Sequence, residues 1–218
     1  MSRSLIAFVG VVVTTGVAHA QDVPEVTPPS TATPADSGVA TNANAPSDMG
    51  DQGIAAMLGV AGGGRSTPGG LLVAGHYYYQ LSDQDWFDGS AAFVFGSGDA
   101  ECFRDRMNVT LCEHGLASGY AGKLGVAARR FMPNLATETF WPFVRAGLGT
   151  ALVRFPDDDI TGITFSVQVG AGLRASLTEA IALTAEADLE LGVGQFSNGL
   201  GGEPQLGVNI SAGAEFKL

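Results

Sequence analysis

The chain has 218 residues, of which 15% are charged, 45% are hydrophobic and 31 are glycine, and its formal net charge is −11. A negative surface is repelled by phosphate backbones, so nucleic acid is excluded as a partner. Lysine occurs only at positions 123 and 217, and no long uncharged apolar run follows the first 20 residues; this argues against the charged surface of an ordinary soluble domain and against a helical membrane protein.

Residues 1–20, MSRSLIAFVGVVVTTGVAHA, have the three parts of a secretory signal peptide. Arg3 supplies the positive start, Leu5 to Val13 the short apolar run, and Val17-Ala18-His19-Ala20 the small residues read at cleavage, expected after Ala20. The apolar run is too short to span a bilayer, which takes about 20 residues. No cysteine lies at the cleavage point, so a lipoprotein is not expected. Residues 21–51 are rich in Pro, Thr, Ser and Ala and lack apolar periodicity. They form a disordered linker, expected in the periplasm, with a mean span of roughly 30 Å as a flexible coil.

Residues 52–218 remain for one domain, and they alternate apolar with polar or small residues in eight segments: 53–62, 71–81, 86–96, 119–131, 140–155, 163–176, 180–194 and 204–218. The last is the clearest. Leu206, Val208, Ile210, Ala212, Ala214, Phe216 and Leu218 take one face; Gln205, Gly207, Asn209, Ser211, Gly213, Glu215 and Lys217 take the other. Strict period two means a β-strand between an apolar and a wet medium. Each segment is long enough to cross a bilayer at a tilt, which takes about 9–11 residues. An even number of strands can close and leave no unpaired edge. The expected fold is all-β: an eight-stranded antiparallel up-and-down transmembrane β-barrel.

The connections support that order. Residues 81–85 and 176–179 read as tight turns, whereas 97–118, 156–162 and 196–203 are longer and more polar. Short turns belong on the periplasmic side and long loops outside. Two connections fit this less well: 62–70 is short for an external loop, and 133–138 is long for a periplasmic turn.

Alternation does not by itself say which face is outside, and a soluble periplasmic lipid-binding barrel would show it with the faces reversed. The polar face carries Thr184, Glu186, Asp188 and Glu190 on the seventh segment, and Thr164, Ser166, Gln168, Gly170, Gly172 and Arg174 on the sixth. That mixture of small and charged groups suits a narrow wet lumen. Tyr77, Tyr79, Trp86, Phe87, Phe131, Phe140, Trp141, Phe155 and Phe196 lie toward segment ends, where rings are expected at the lipid–water boundaries.

With its signal peptide, eight amphipathic strands and C-terminal strand, the chain resembles the small outer-membrane β-barrels of the OmpA-transmembrane, OmpX and opacity-protein type over residues 53–218. Gly213, Phe216 and Leu218 are similar to the family's assembly signal, a glycine followed by apolar residues at alternating positions. Ala212 departs from the pattern, which prefers a polar residue there, and so does Leu218, where Phe is usual. The resemblance implies an outer-membrane location in a Gram-negative envelope, contact with membrane lipid and lipopolysaccharide, and insertion by the outer-membrane assembly machinery.

By parity, Lys123, Arg129 and Arg145 point inward from one wall, and Glu186, Asp188 and Glu190 from the wall nearly opposite. Unpaired buried charge costs several kcal/mol, so these groups either form a salt-bridged plug or line an ion path. Cys102 and Cys112 can form a disulfide after export, contributing roughly 2–3 kcal/mol by loop closure; two free thiols are the alternative. Asp157-Asp158-Asp159 offers hard oxygen ligands without the spacing of a calcium loop, and a solvated acidic loop is the plainer reading. Cys112-Glu113-His114 is a weak metal candidate that competes with the disulfide.

No enzyme chemistry is expected. His76 and His114 are the only histidines after residue 20, and no serine stands at a spacing that suits lipid A hydrolysis. No cofactor or metal is expected either. The function read from sequence is a non-enzymatic structural or surface-interaction role through the external loops, toward a ligand the sequence does not name. The alternatives are a narrow channel for small solutes, a lipid A-modifying barrel enzyme and the soluble lipid-binding barrel.

Overall fold

A computed structural model of the protein describes residues 52–97, 100–104, 107–198 and 201–218; side chains at 100–104 and 110–113 are not described. The signal peptide expected at 1–20 and the linker expected at 21–51 lie outside the described residues.

Ten strands follow in chain order: β1 (Gln52–Gly62), β2 (Gly70–Gln80), β3 (Asp85–Phe95), β4 (Ala100–Arg104), β5 (Thr110–His114), β6 (Tyr120–Phe131), β7 (Phe140–Phe155), β8 (Ile160–Ser176), β9 (Ile181–Phe196) and β10 (Gly201–Lys217). Eight of them close into a ring in the order β1-β10-β9-β8-β7-β6-β3-β2, while β4 and β5 pair only with each other. Every neighbouring pair is antiparallel, and the ring closes where β1 meets β10, with Ile54 opposite Phe216 and Val60 opposite Ile210. Closure pairs the backbone polar groups that a membrane core could not solvate.

The alternating apolar residues face outward all round the ring. Leu58 on β1, Phe93 on β3, Leu124 on β6, Leu148 on β7, Phe165 on β8, Val193 on β9 and Leu206 on β10 are all exposed. The polar set of the same strands, including Arg129, Arg145, Gln168, Glu186, Asp188, Asn209 and Glu215, is buried inside. The fold is therefore a transmembrane β-barrel, apolar out and polar in. A soluble barrel with its apolar face lining a cavity is overturned.

One end carries the short turns at 81–84 and 177–180, together with 132–139, where a 3₁₀ turn at Pro133–Leu135 takes up the extra length. The other end carries the connections 63–69, 96–119, 156–159 and 197–200. The first of these is short because it lies across the barrel mouth rather than projecting from it. Ser66, Thr67, Pro68 and Gly69 are buried, Gly63 and Gly69 donate their backbone N–H groups to Leu116 and Ser118, each at 2.9 Å, and Thr67 Oγ1 donates to Gln205 Oε1 at 3.0 Å.

Two sequence expectations need correction. Trp86, Phe131, Trp141, Phe155 and Phe196 are at most 6% exposed and point inward rather than to the lipid boundary. Each shares the parity of the luminal residues on its strand, Trp86 with Asp88 and Phe131 with Arg129, so pleating turns it in. Of the rings assigned to the boundary, Tyr77, Tyr79 and Phe140 are exposed. The lumen is accordingly not wet from end to end. Phe155, Ile160 and Phe196 with Leu72, Val94 and Val153 fill the long-loop mouth; Met57, Tyr78, Trp86, Phe131, Trp141 and Phe143 fill the short-turn mouth.

Candidate functional site

Between the two apolar fillings lies a layer of charge. The six charged residues singled out from sequence fall into two groups there. Nearer the long-loop end, Lys123 Nζ lies 2.6 Å from Glu190 Oε2, and Gln168 Nε2 donates to the other oxygen of Glu190 at 3.1 Å. Deeper, Arg145 Nη1 donates to Asp188 Oδ2 at 2.9 Å and to Glu186 Oε1 at 3.3 Å. Arg129 Nη2 reaches Glu186 Oε2 at 3.5 Å.

Four members of the deeper group are absent from that sequence set. Asp88 Oδ2 lies 3.3 Å from Arg145 Nε. Glu215 Oε1 accepts from Arg174 Nε at 2.7 Å, and its Oε2 lies 3.6 Å from Arg129 Nη1. Tyr78 accepts a hydrogen bond from Arg129 Nη2 at 2.8 Å. The Arg129 guanidinium is also sandwiched between the Tyr78 and Phe143 rings, 4.0 Å from each centroid. That geometry combines cation–π attraction with desolvation of a planar cation. Parity along β2, β3 and β10 marks Tyr78, Asp88 and Glu215 as luminal; β3 lies directly beside β6 and its Arg129, and curvature of the sheet into a ring brings Tyr78 and Glu215 to the same guanidinium.

His76 faces carboxylates with both ring nitrogens: Nδ1 is 2.9 Å from Asp88 Oδ1 and Nε2 is 3.6 Å from Glu186 Oε1. Ser90 stands directly opposite His76 in the β2–β3 ladder, a neighbour that linear spacing hides. Both border a polar cavity of about 40 Å³, with Lys123, Arg145, Asp188 and Asn209 also in its wall. That is room for a water molecule or two, not for a lipid. Gly170 makes space for the carboxylate, since a Cβ there would lie 1.9 Å from Asp188 Oδ1.

The long-loop end forms a connected crown. The His114 ring stacks on Phe155 with centroids 3.7 Å apart. Its Nδ1 bonds the backbone carbonyl of Arg65, and its Nε2 lies 3.1 Å from Asp158 Oδ2. One buried side chain thus joins three connections. The fourth, 197–200, is tied by Asn198 Nδ2, which donates to the Asp159 carbonyl at 2.6 Å, and the start of β10 is tied by Arg65 Nη2 to Glu203 Oε1 at 3.4 Å and by Ser66 Oγ, which donates to the Pro204 carbonyl at 3.2 Å. Asp158 is therefore turned inward to a histidine, while Asp157 and Asp159 are exposed. Among the described residues, no group of three or more His, Cys, Asp or Glu is placed to hold a metal ion.

Cys102 and Cys112 are directly opposite each other in the β4–β5 ribbon. The Cα separation of opposed antiparallel residues falls in the range a disulfide bridges. Their side chains lie outside the described ones. Gly213, Phe216 and Leu218 lie at the closing seam or just beyond it, with Gly213 opposite Met57 and Phe216 opposite Ile54.

No protein-family model matches the chain, and no curated protein matches it in sequence. Solved structures match in shape. The crystal structure of Neisserial surface protein A (NspA) superposes with a TM-score of 0.52 at 13% identity, covering 78% of this chain and 98% of that one. Two structures of Ail, the attachment invasion locus protein of Yersinia pestis, match over 77% of this chain and all of that one. The complex with the heparin analogue sucrose octasulfate gives a TM-score of 0.39 at 15% identity, and the other structure gives 0.37 at 16%. At these identities the likeness to NspA is one of fold: the chain has the architecture of the small eight-stranded outer-membrane barrels.

Proposed function

We propose, starting from that fold, that the protein is an integral outer-membrane barrel whose closed lumen is a rigid support and whose working surface is the long-loop crown, facing outward. The observation that carries this reading is the layered interior. Apolar side chains fill both mouths, and the charges between them pair with one another across the lumen. An ion entering such a lumen would have to break those pairs and cross two dry layers. A path for solutes fits this interior poorly.

The orientation follows from connection length, with short turns in the periplasm and long loops outside. In this reading residues 1–20 are removed on export, residues 21–51 link the barrel in the periplasm, and the assembly machinery inserts residues 52–218. A Cys102–Cys112 disulfide staples the ribbon tip. His76 acts as a structural member of the ion layer, because its cavity is too small to admit a lipid.

Planar-bilayer recording tests the reading. The purified protein is expected to be electrically silent, and steady unitary openings would replace the support reading with the channel. Mass spectrometry of lipid A from overexpressing cells tests the enzymatic alternative, which requires a modified species; the expected spectrum is unchanged.

A further inference from the structure

The outer wall carries a cation, Arg154, with no ion partner among the described residues. Arg154, next to last on β7, is exposed between the inward residues Val153 and Phe155. Across the ladders it is flanked by Tyr120 on β6 and Thr161 on β8, both exposed on the same face. Opposed side chains on adjacent strands sit about 5 Å apart, so Tyr120, Arg154 and Thr161 form one row around the wall, with the Thr161 hydroxyl 3.3 Å from Ser197 Oγ. Immediately below that row the wall is apolar: Leu152 opposite Ile163, then Thr150 opposite Phe165, with Leu152 67% and Phe165 63% exposed.

Two other cations of the surface are paired. Arg130, outward at the short-turn end, lies 3.5 Å from Asp85, and Arg65 lies 3.4 Å from Glu203. Arg154 has no ion pair or hydrogen bond among the described residues. An unpaired guanidinium at the upper edge of an apolar wall sits at headgroup depth, where its planar fork matches a phosphate. Asp157 and Asp159, exposed in the loop beyond the row, leave the lipid side as the place where an anion meets this cation.

We infer that the Tyr120–Arg154–Thr161 row is a binding site for a phosphate of lipopolysaccharide in the outer leaflet, with the acyl chains lying on the wall below. The identity of the lipid rests on the outward orientation proposed above. The binding itself does not, and the two are tested apart.

The experiment titrates the detergent-folded barrel with phosphorylated lipid A in the presence of a chelator, which removes divalent bridges to the aspartates. The readout is the temperature at which the folded band on unboiled gels is lost. Lipid A is expected to protect the wild type. Arg154→Gln should need about fivefold more lipid for half-protection, the effect of one interfacial cation on an anionic surface. Arg154→Lys should retain part of the effect, and Arg130→Gln, at the short-turn end of the wall, should titrate like the wild type. Both Arg154 variants must fold in lipid-free detergent, as an exposed side chain without a partner predicts.

Identical titration of Arg154→Gln and wild type would overturn the site. Equal protection by dephosphorylated lipid A would overturn the phosphate, and equal protection by phosphatidylglycerol or by inorganic phosphate would overturn the assignment to lipopolysaccharide. Orientation is read separately, by protease shaving of residues 97–118 on intact cells.

Discussion

Arg145 shows how a single side chain holds the interior. It contacts Asp88, Glu186 and Asp188 from the centre of the lumen, and Arg129 ties Glu186 to Glu215 beside it. A buried ion pair adds little over an apolar filling, but removing one partner leaves the other charged and dry, at a cost of about 3–5 kcal/mol. Arg129→Ala combined with Arg145→Ala removes every arginine partner of Asp88, Glu186 and Asp188, while Glu215 keeps Arg174. The double variant is expected to lose its folded band at a clearly lower temperature on unboiled gels, and an unchanged midpoint would count against the pairing as a source of stability. Gly213 is constrained at the same scale. A Cβ there would lie 2.0 Å from the Ala56 carbonyl and 2.7 Å from Met57 Cα across the seam. The glycine that the resemblance reads as part of an assembly signal therefore also meets a local packing demand. Gly213→Val is expected to lower the yield of heat-resistant barrel even when refolded in detergent without assembly factors.

Among the elements, the connections at the long-loop end behave as one unit because few side chains carry many ties. His114 reaches the 63–69 connection through Arg65, the 156–159 connection through Asp158, and the barrel mouth through Phe155. Losing it should free the crown without loosening the wall, whose stability lies in the ladders and the lumen. His114→Ala is expected to speed proteolytic cleavage within residues 97–118 about tenfold, the change that roughly 1.4 kcal/mol of lost local stability produces when cleavage follows local opening. The melting of the barrel should stay as in the wild type; a parallel fall in both would show that crown and wall are one cooperative unit. The strands themselves differ in length. β1 to β3 have 11 residues each, whereas β7 to β10 have 16 or 17, so the ladders on the β7–β10 side run further and support the crown there.

For the whole molecule the decisive property is closure. A barrel with every ladder paired resists detergent until it is heated, so the folded protein should migrate faster on gels when unboiled than when boiled. Absence of a shift would remove the membrane reading altogether. A closed barrel can still conduct, but one with a dry layer at each mouth should not, and bilayer recording separates these two states of the same fold.

How much of this is legible in the chain depends on the range of the interaction that decides it. Period two is local, so the strands, their faces and the closed antiparallel architecture follow from the sequence. It also makes Arg145 and Glu186 luminal before any partner is known. Where the pattern weakens, so does the reading. The upper ends of β8 to β10 continue through polar residues such as Thr161 and Gln195, because pairing outlasts the apolar alternation. The five-residue strands β4 and β5 are too short to show a period of their own. The aromatic residues were misplaced for a related reason: proximity to a strand end says how high a ring sits, and only parity within a closed ring says that Phe155 plugs the mouth rather than anchoring in lipid.

By itself, then, the sequence determined the class of fold, the apolar outer wall and the luminal side of each strand, since these depend on neighbours one or two residues away. The tertiary structure alone decided who pairs with whom. Glu215 meets Arg174, 41 positions away, because β8, β9 and β10 pair at one register. His114 holds Arg65 and Asp158 because three loops converge on one mouth. Those contacts join residues tens of positions apart, and their geometry is set by closure of the ring, for which no single segment carries a signal.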